Sequence, residues 1–312
     1  MSNQTSFSII ANDKSKSPVE KAAQGVFTLC AFIAVLAVVS ITVYMIINGT
    51  PALFQVGPAE ILLGTKWAPT AEEPSFGIFY VILTSVIGTA AAVLLGVPIG
   101  VLTAVFLAET APKKFAAVVK PAVELLAGIP SVIYGLLGIM ILNPLMYKAE
   151  LALFENSEAH QFTGGSNFLS AVIVLAVMIL PTVINISESS IKAVPDSVRA
   201  ASLSLGASKI QTIFQVVLPA AKSGIATAVV LGVGRAIGEA MAITLVSGSS
   251  VNLPLPFNSV RFLTTAIVSE MGYAAGLHRQ VLFTIGLVLF VFIMGINASL
   301  TRILKKGEQS RV

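Results

Sequence analysis

The sequence predicts an all-α membrane protein with six transmembrane helices. Three observations carry that reading. The chain is 55% hydrophobic and only 11% charged, whereas soluble domains carry about 25% charged residues. Its mean hydropathy is +0.90. Its apolar residues also gather into long runs, and six of them, 22–47, 78–107, 116–146, 167–187, 223–246 and 280–303, reach the roughly 20 residues needed to cross a hydrocarbon core.

A polar tail, residues 1–21, precedes the first span, with Ile9 and Ile10 as a possible surface anchor. The span 22–47 is too long for the apolar region of a signal peptide and lacks a small-residue cleavage site, so no cleavable signal is expected. Cys30 lies in this span and is the only cysteine. It excludes an internal disulfide and a zinc site built on several cysteines, and it reads as a packing residue. The second span is bounded by Gly77 and Glu109, and the third is interrupted by Pro121, Pro130 and Pro144. A kink or local unwinding is expected there. Small-xxx-small spacings, such as Gly96 to Gly100 and Gly234 to Gly238, let helix backbones approach closely. A short tail, 304–312, follows the sixth span.

The net charge of +4 and pI of about 9.2 do not point to nucleic acid, because the basic residues fall in the links between spans. One alternating set of segments holds Lys14, Lys16, Lys21, Lys113, Lys114, Lys120, Lys192, Arg199, Lys209, Lys222, Arg302, Lys305, Lys306 and Arg311; the other holds only Lys66, Lys148, Arg261 and Arg279. The positive-inside tendency therefore predicts that both termini are cytoplasmic. The segments 48–77, 147–166 and 247–279 then lie outside, and Trp67 suits an interfacial position.

The longest inner link is 188–222. Pro195 and Asp196 suit a helix start, Val198, Ala201 and Leu205 follow at helical spacing, and Gly206 suits a left-handed stop. A second helix carries Ile210, Ile213, Phe214 and Val217 on one face and ends at Pro219. Two readings are open: a loop lying on the membrane, or a helical plug for another protein's groove.

The stretch Ala200-Ala201-Ser202-Leu203-Ser204-Leu205-Gly206, followed by Val217-Leu218-Pro219 and Gly224-Ile225, resembles the EAA loop of ABC-importer permeases. That loop has E-A-A, three residues, a glycine and, after a spacer, an aliphatic-X-L-P end. Ala200 stands where the family usually has glutamate, and Ser202 replaces the second alanine. Leu126-Ala127-Gly128-Ile129-Pro130-Ser131-Val132-Ile133-Tyr134-Gly135 and Gly234-Arg235-Ala236-Ile237-Gly238-Glu239 are similar to the phosphate-importer permeases of the PstC type, and the similarity runs along nearly the whole chain.

The resemblance implies a type I ABC-importer permease fold. Its transmembrane domain would cover 78–303, preceded by the helix 22–47, with 188–222 as the ATPase-coupling loop. It implies ATPase coupling through Ala200, Ala201, Gly206, Leu218 and Pro219. Gly128, Pro130, Gly234 and Gly238 become helix-break or packing positions. The implied partners are a homologous permease of the PstA type, a cytoplasmic ATPase dimer of the PstB type and an external phosphate-binding protein of the PstS type. The chain would sit among membrane lipid in the bacterial plasma (inner) membrane, with no nucleic acid. No cofactor is expected in this chain, since ATP and Mg would be bound by the ATPase.

Arg235 and Glu239 stand in the middle of the fifth span, where charge is costly and usually marks a pathway. A continuous helix would place both on one face, four residues apart. Either the pair pins two helices together, or Arg235 offers a forked cationic donor to an anion in transit while Glu239 holds it in place. Glu124 and Glu188 read as interfacial. Arg261 and Arg279, near Glu270 and His278, read as loop charges that could also draw in an anion or touch the binding protein. His160 and His278 show no metal-ligand spacing, and no metal is assigned. The chain has no G-x-x-x-x-G-K-[ST] and no nucleophile–base constellation, so it does not read as an enzyme. Three rivals to a phosphate permease are a permease for another oxyanion such as sulfate or molybdate, an ion-coupled secondary carrier, and a non-transporting sensor scaffold.

Overall fold

A computed structural model describes residues 18–155, 157 and 160–309. Ile9, Ile10, Lys14, Lys16 and Arg311 lie outside the described residues, as do the side chains of Lys305 and Lys306. The chain divides into two compact units, one up to Ile47 and one from Asn48.

The first unit is the leading part of helix α1 (Pro18–Gln55), which extends the expected first span at both ends. Large apolar side chains such as Phe27, Phe32 and Ile41 are exposed along it. A helix apolar on every face belongs in hydrocarbon or against other apolar helices.

In the second unit, helix α2 (Pro58–Leu63) leads to strands β1 (Trp67–Ala68) and β2 (Ser75–Phe76). The strands pair antiparallel with Trp67 opposite Phe76. Helix α3 (Phe79–Val105) ends in a π-helical turn, Phe106–Thr110, and α4 (Lys113–Gly128) follows. After Ile129 and Pro130 come α5 (Ser131–Leu137), a π turn at Gly138–Leu142, and α6 (Asn143–Phe154). Then come α7 (Phe168–Lys192), α8 (Asp196–Ser204), α9 (Lys209–Thr212), a π turn at Ile213–Val217, and α10 (Leu218–Ala220). The remaining helices are α11 (Lys222–Gly238), α12 (Met241–Val246), α13 (Leu263–Glu270) and α14 (Gly276–Gln309).

Five stretches are long and apolar enough to span a membrane: Val19–Gln55, Phe79–Thr110, Ser131–Phe154, Phe168–Lys192 and Gly276–Ser299. A sixth results if Lys209–Ala220 and Lys222–Gly238, bent by 69°, count as one. The expected third span, 116–146, has therefore moved along the chain. Pro130 is the reason: it cannot donate into a helix, and it forces the residue before it out of the α region. Ile129 is accordingly extended, at φ −69 and ψ 129. Pro121 and Pro144 are tolerated, one inside α4 and the other in the first turn of α6.

Helices α3 and α7 run parallel and touch along their length. Gly88 lies against Phe168, Gly96 against Ile179 and Ala176, and Gly100 against Val183. A Cβ on Gly96 would fall 2.7 Å from Ile179 Cδ1 and 2.9 Å from the Ala176 carbonyl oxygen. Lipid tails are as apolar as leucine, so close packing over small residues holds such a contact better than apolar transfer does. Helix α11 runs antiparallel to α7, with Gly224 against Ser190 and Gly232 against Val183. The core lies around α7, where Phe168, Leu175, Met178 and Ile179 are buried with Phe262, Ile243 and Val246. A second cluster joins α2, the start of α3, α13 and α14 through Ile61, Ile78, Leu263, Leu282 and Ile285.

Candidate functional site

The fifth span breaks at the residues that the sequence singled out. Helix α11 stops at Gly238, Glu239 is extended (φ −73, ψ 130), and Ala240 lies outside the helical region before α12 begins. Two freed backbone groups near the break find side chains. Glu239 Oε1 accepts a hydrogen bond from the Ala242 amide at 3.0 Å, and Thr264 Oγ1 donates to the Glu239 carbonyl at 2.7 Å. Irregular backbone at membrane depth is tolerated only where it is buried in protein or lines a cavity.

A second break lies beside the first. Between α4 and α5, Ile129 and Pro130 are extended, and the Tyr134 hydroxyl donates to the Leu126 carbonyl at 2.7 Å across the gap. Helix α5 packs on α12 where Gly135 meets Ala242: a Cβ there would fall 2.9 Å from Ala242 Cα. The two motifs, Leu126 to Gly135 and Gly234 to Glu239, are thus carried by neighbouring elements. Helix α4 ends at Gly128, and Ile129 and Pro130 form the break before α5.

Arg235 occupies the last turn of α11, where the helix dipole favours a cation. It lies ~20 Å along the helix from Lys222 at 1.5 Å per residue. Arg235 is half-buried, and its Nη1 approaches Thr182 Oγ1 of α7 at 3.5 Å. The expected pairing with Glu239 is not made. The helix ends one residue too early for a four-residue spacing to hold, and the carboxylate turns to the α12 amide instead. Among the described residues no carboxylate pairs with Arg235, so most of its five donors are available to an anion. A Cβ on Gly234, Gly238 or Gly128 would meet nothing within 4 Å, so these glycines bring no neighbouring backbone of this chain close; Gly232 packs instead.

The inner link forms the expected helices. Gly206 takes φ +87 and donates its amide to the Leu203 carbonyl at 3.0 Å. Ser208 caps α9 in a reciprocal box with Gln211, and the buried hydroxyls of Ser202 and Thr212 meet at 2.9 Å. Ile213 and Val217 are buried with Ala104, Val105 and Ile191. The other expected apolar positions are open: Leu205 is 89% exposed and Ile210 70%, while Val198, Ala201 and Phe214 are also exposed. The described residues leave these positions uncovered. Ala200 is exposed, and Leu218 and Pro219 are half-buried. Pro219 sits in α10 and does not end it; the bend comes after it, at Ala221.

A model of the family "Binding-protein-dependent transport system inner membrane component" matches residues 96–307. The chain belongs to that family. This family member is 37% identical over 288 residues to the Bacillus subtilis protein named "Probable ABC transporter permease protein YqgH", covering 91% of this chain and 90% of the relative. It is 32% identical to the phosphate transport system permease protein PstC of Haemophilus influenzae, covering 87% of both chains. With PstC of Mesorhizobium japonicum the identity is 34%, over 74% and 73%. Two solved structures share the fold. A bacterial alginate ABC transporter in complex with an alginate pentasaccharide-bound periplasmic protein aligns at TM-score 0.60 and 15% identity, over 91% of this chain and 98% of that one. The inward-facing MetNI methionine ABC transporter aligns at TM-score 0.52 and 19% identity, over 74% and 94%. The multi-pass membrane permease expected from the sequence is therefore what the chain is.

Outside the two breaks, this permease buries several carboxylates that sequence reasoning placed elsewhere or passed over. Glu188, expected at an interface, is 2% exposed and takes Lys120 of α4 at 3.2 Å and Lys192 at 2.5 Å. Arg261 is not a free loop charge: it pairs with buried Glu270, which also accepts from His278 at 2.7 Å and Trp67 at 3.1 Å. Arg279 is exposed. Glu150, fully buried, holds His160 at 2.8 Å and the Thr163 amide at 2.9 Å. Thr182 was also missed, since a lone threonine in an apolar run gives no signal.

Proposed function

We propose that this chain is the permease subunit of an ATP-driven, binding-protein-dependent importer of inorganic phosphate. The observation that carries the reading is Arg235: a permanent cation deep in a span, at a helix break, with no carboxylate among the described residues neutralising it. Its planar fork suits the paired oxygens of phosphate. Glu239 shapes the break rather than cancelling the charge. The names of the PstC relatives support phosphate as the substrate, and the open apolar face around Leu205 supports docking to a partner.

In this reading a second permease of the PstA type completes the pathway, a PstS-type protein delivers phosphate from outside, and both termini of this chain are cytoplasmic. A PstB-type ATPase dimer binds ATP and Mg and docks on the loop 188–222. This chain holds no cofactor and catalyses no reaction. ATP closure of the dimer moves α8 to α10 and tilts the spans, and hydrolysis resets them.

The test is ATP-dependent uptake of labelled phosphate by vesicles containing the complete complex and its binding protein, with sulfate and molybdate as competitors. ATP-dependent phosphate uptake that neither competitor reduces is expected. Uptake without the ATPase subunits, or preferential uptake of sulfate or molybdate, overturns the assignment.

A further inference from the structure

Arg199 stands where three elements meet. It belongs to α8, and its guanidinium reaches both the end of α7 and the end of α3. Nη2 donates to the Ile191 carbonyl at 2.9 Å and Nη1 to that of Val194, a favourable place for a cation because a helix C-terminus presents unpaired carbonyls. Nε and Nη2 both donate to Glu109 Oε1, at 3.1 and 2.7 Å. The two side chains are only 19% and 11% exposed. The added contact to Asp196, at 3.3 Å, involves a fully exposed carboxylate and contributes little.

Glu109 lies in the π turn that finishes α3, a widened turn of a kind often found at functional positions. The arrangement therefore bolts α8 to the ends of the two parallel helices at the centre of the second unit. Those helices interlock through Gly88, Gly96 and Gly100, and α7 carries Thr182, the contact of Arg235. Apolar contacts such as those of Ile213 and Val217 resist separation but are non-directional. A shielded guanidinium that makes four hydrogen bonds besides the exposed one to Asp196 fixes direction as well as distance.

We propose that Arg199 and Glu109 form the joint through which displacement of α8 reaches α3 and α7 and, through them, the Arg235 pathway. Arg199 and Glu109 are positioning residues: neither touches the transported ion. The inference rests on the reading of 188–222 as the ATPase-docking segment.

The test uses the complete complex in vesicles, measuring ATP hydrolysis and phosphate uptake on the same preparations. Glu109→Gln keeps the shape and removes the charge, while Arg199→Lys keeps the charge and removes the fork. Both variants are expected to assemble and to hydrolyse ATP within about twofold of wild type, while uptake per ATP falls about tenfold, a typical coupling magnitude. The double variant is expected to be no worse than either single one, because both remove the same joint. Uptake and hydrolysis falling in proportion, or losses that multiply in the double variant, overturn the proposal. Should Glu109→Gln fail to assemble, Glu109→Asp, which retains the charge at a shorter reach, is read against the same two outcomes. The wild-type complex separates the two claims. If it hydrolyses ATP but accumulates another oxyanion, the phosphate assignment fails and the joint is read with that ion.

Discussion

The Glu239 carboxylate accepts a hydrogen bond from the Ala242 amide, three residues onward, and makes none with the Arg235 guanidinium, four residues back. The two charges thus have separate work. Arg235→Gln is expected to abolish phosphate uptake while leaving assembly intact, and uptake near the wild-type level would remove Arg235 from the pathway. Glu239→Gln keeps an oxygen that can still cap α12, so it is expected to retain most uptake. Glu239→Ala loses the cap, at about 1 kcal/mol, and is expected to lower the thermal stability of the detergent-solubilised complex.

Tyr134 repairs the other break. In Tyr134→Phe the Leu126 carbonyl keeps only the Ile129 amide, at 3.3 Å, and losing a typical hydrogen bond costs about 0.5–1.5 kcal/mol. Thermal unfolding of the purified variant is expected to shift down accordingly. An unchanged midpoint would mean that the carbonyl finds another partner.

Gly96 is a packing position. A Cβ there would fall within 3 Å of both Ile179 and the Ala176 carbonyl oxygen, so Gly96→Val must push α3 and α7 apart, at about 1–3 kcal/mol. Reduced recovery of folded protein is expected, whereas Gly25→Val, where a Cβ would meet nothing within 4 Å, is expected to be recovered normally.

Gly206 and Leu205 separate backbone from surface in the docking loop. Gly206→Ala has open space but must hold φ +87, at about 1–2 kcal/mol for a side chain in the left-handed region; Gly206→Val adds a branched side chain and is expected to weaken ATPase recovery more. Leu205→Asp leaves the backbone alone and puts a charge on an 89% exposed apolar position. Loss of ATPase subunits on co-purification is expected from it, and normal recovery would place the docking surface elsewhere.

The sequence was most legible where one residue type has one backbone consequence. Pro130 broke its helix, Gly206 turned left-handed, and Pro195 with Asp196 opened α8. Runs of apolar residues located most spans for the same reason, since hydrocarbon thickness sets their length. What the sequence did not disclose depends on register. The 116–146 run could not show which of its three prolines would end a helix. The four-residue spacing of Arg235 and Glu239 lost its meaning once α11 stopped at Gly238. Glu109 and Arg199 are ninety residues apart, and no local pattern brings them together; only the parallel packing of α3 and α7 does.

A straight beam levered at one end must swing the other by an equal angle. Helix α11, which carries Arg235, meets α12 at an elbow formed by Glu239 and Ala240, and α4 meets α5 at another, Ile129 and Pro130, just ahead of the span Ser131–Phe154. Side chains stitch both elbows, so a push on one arm would reach the other along a new line.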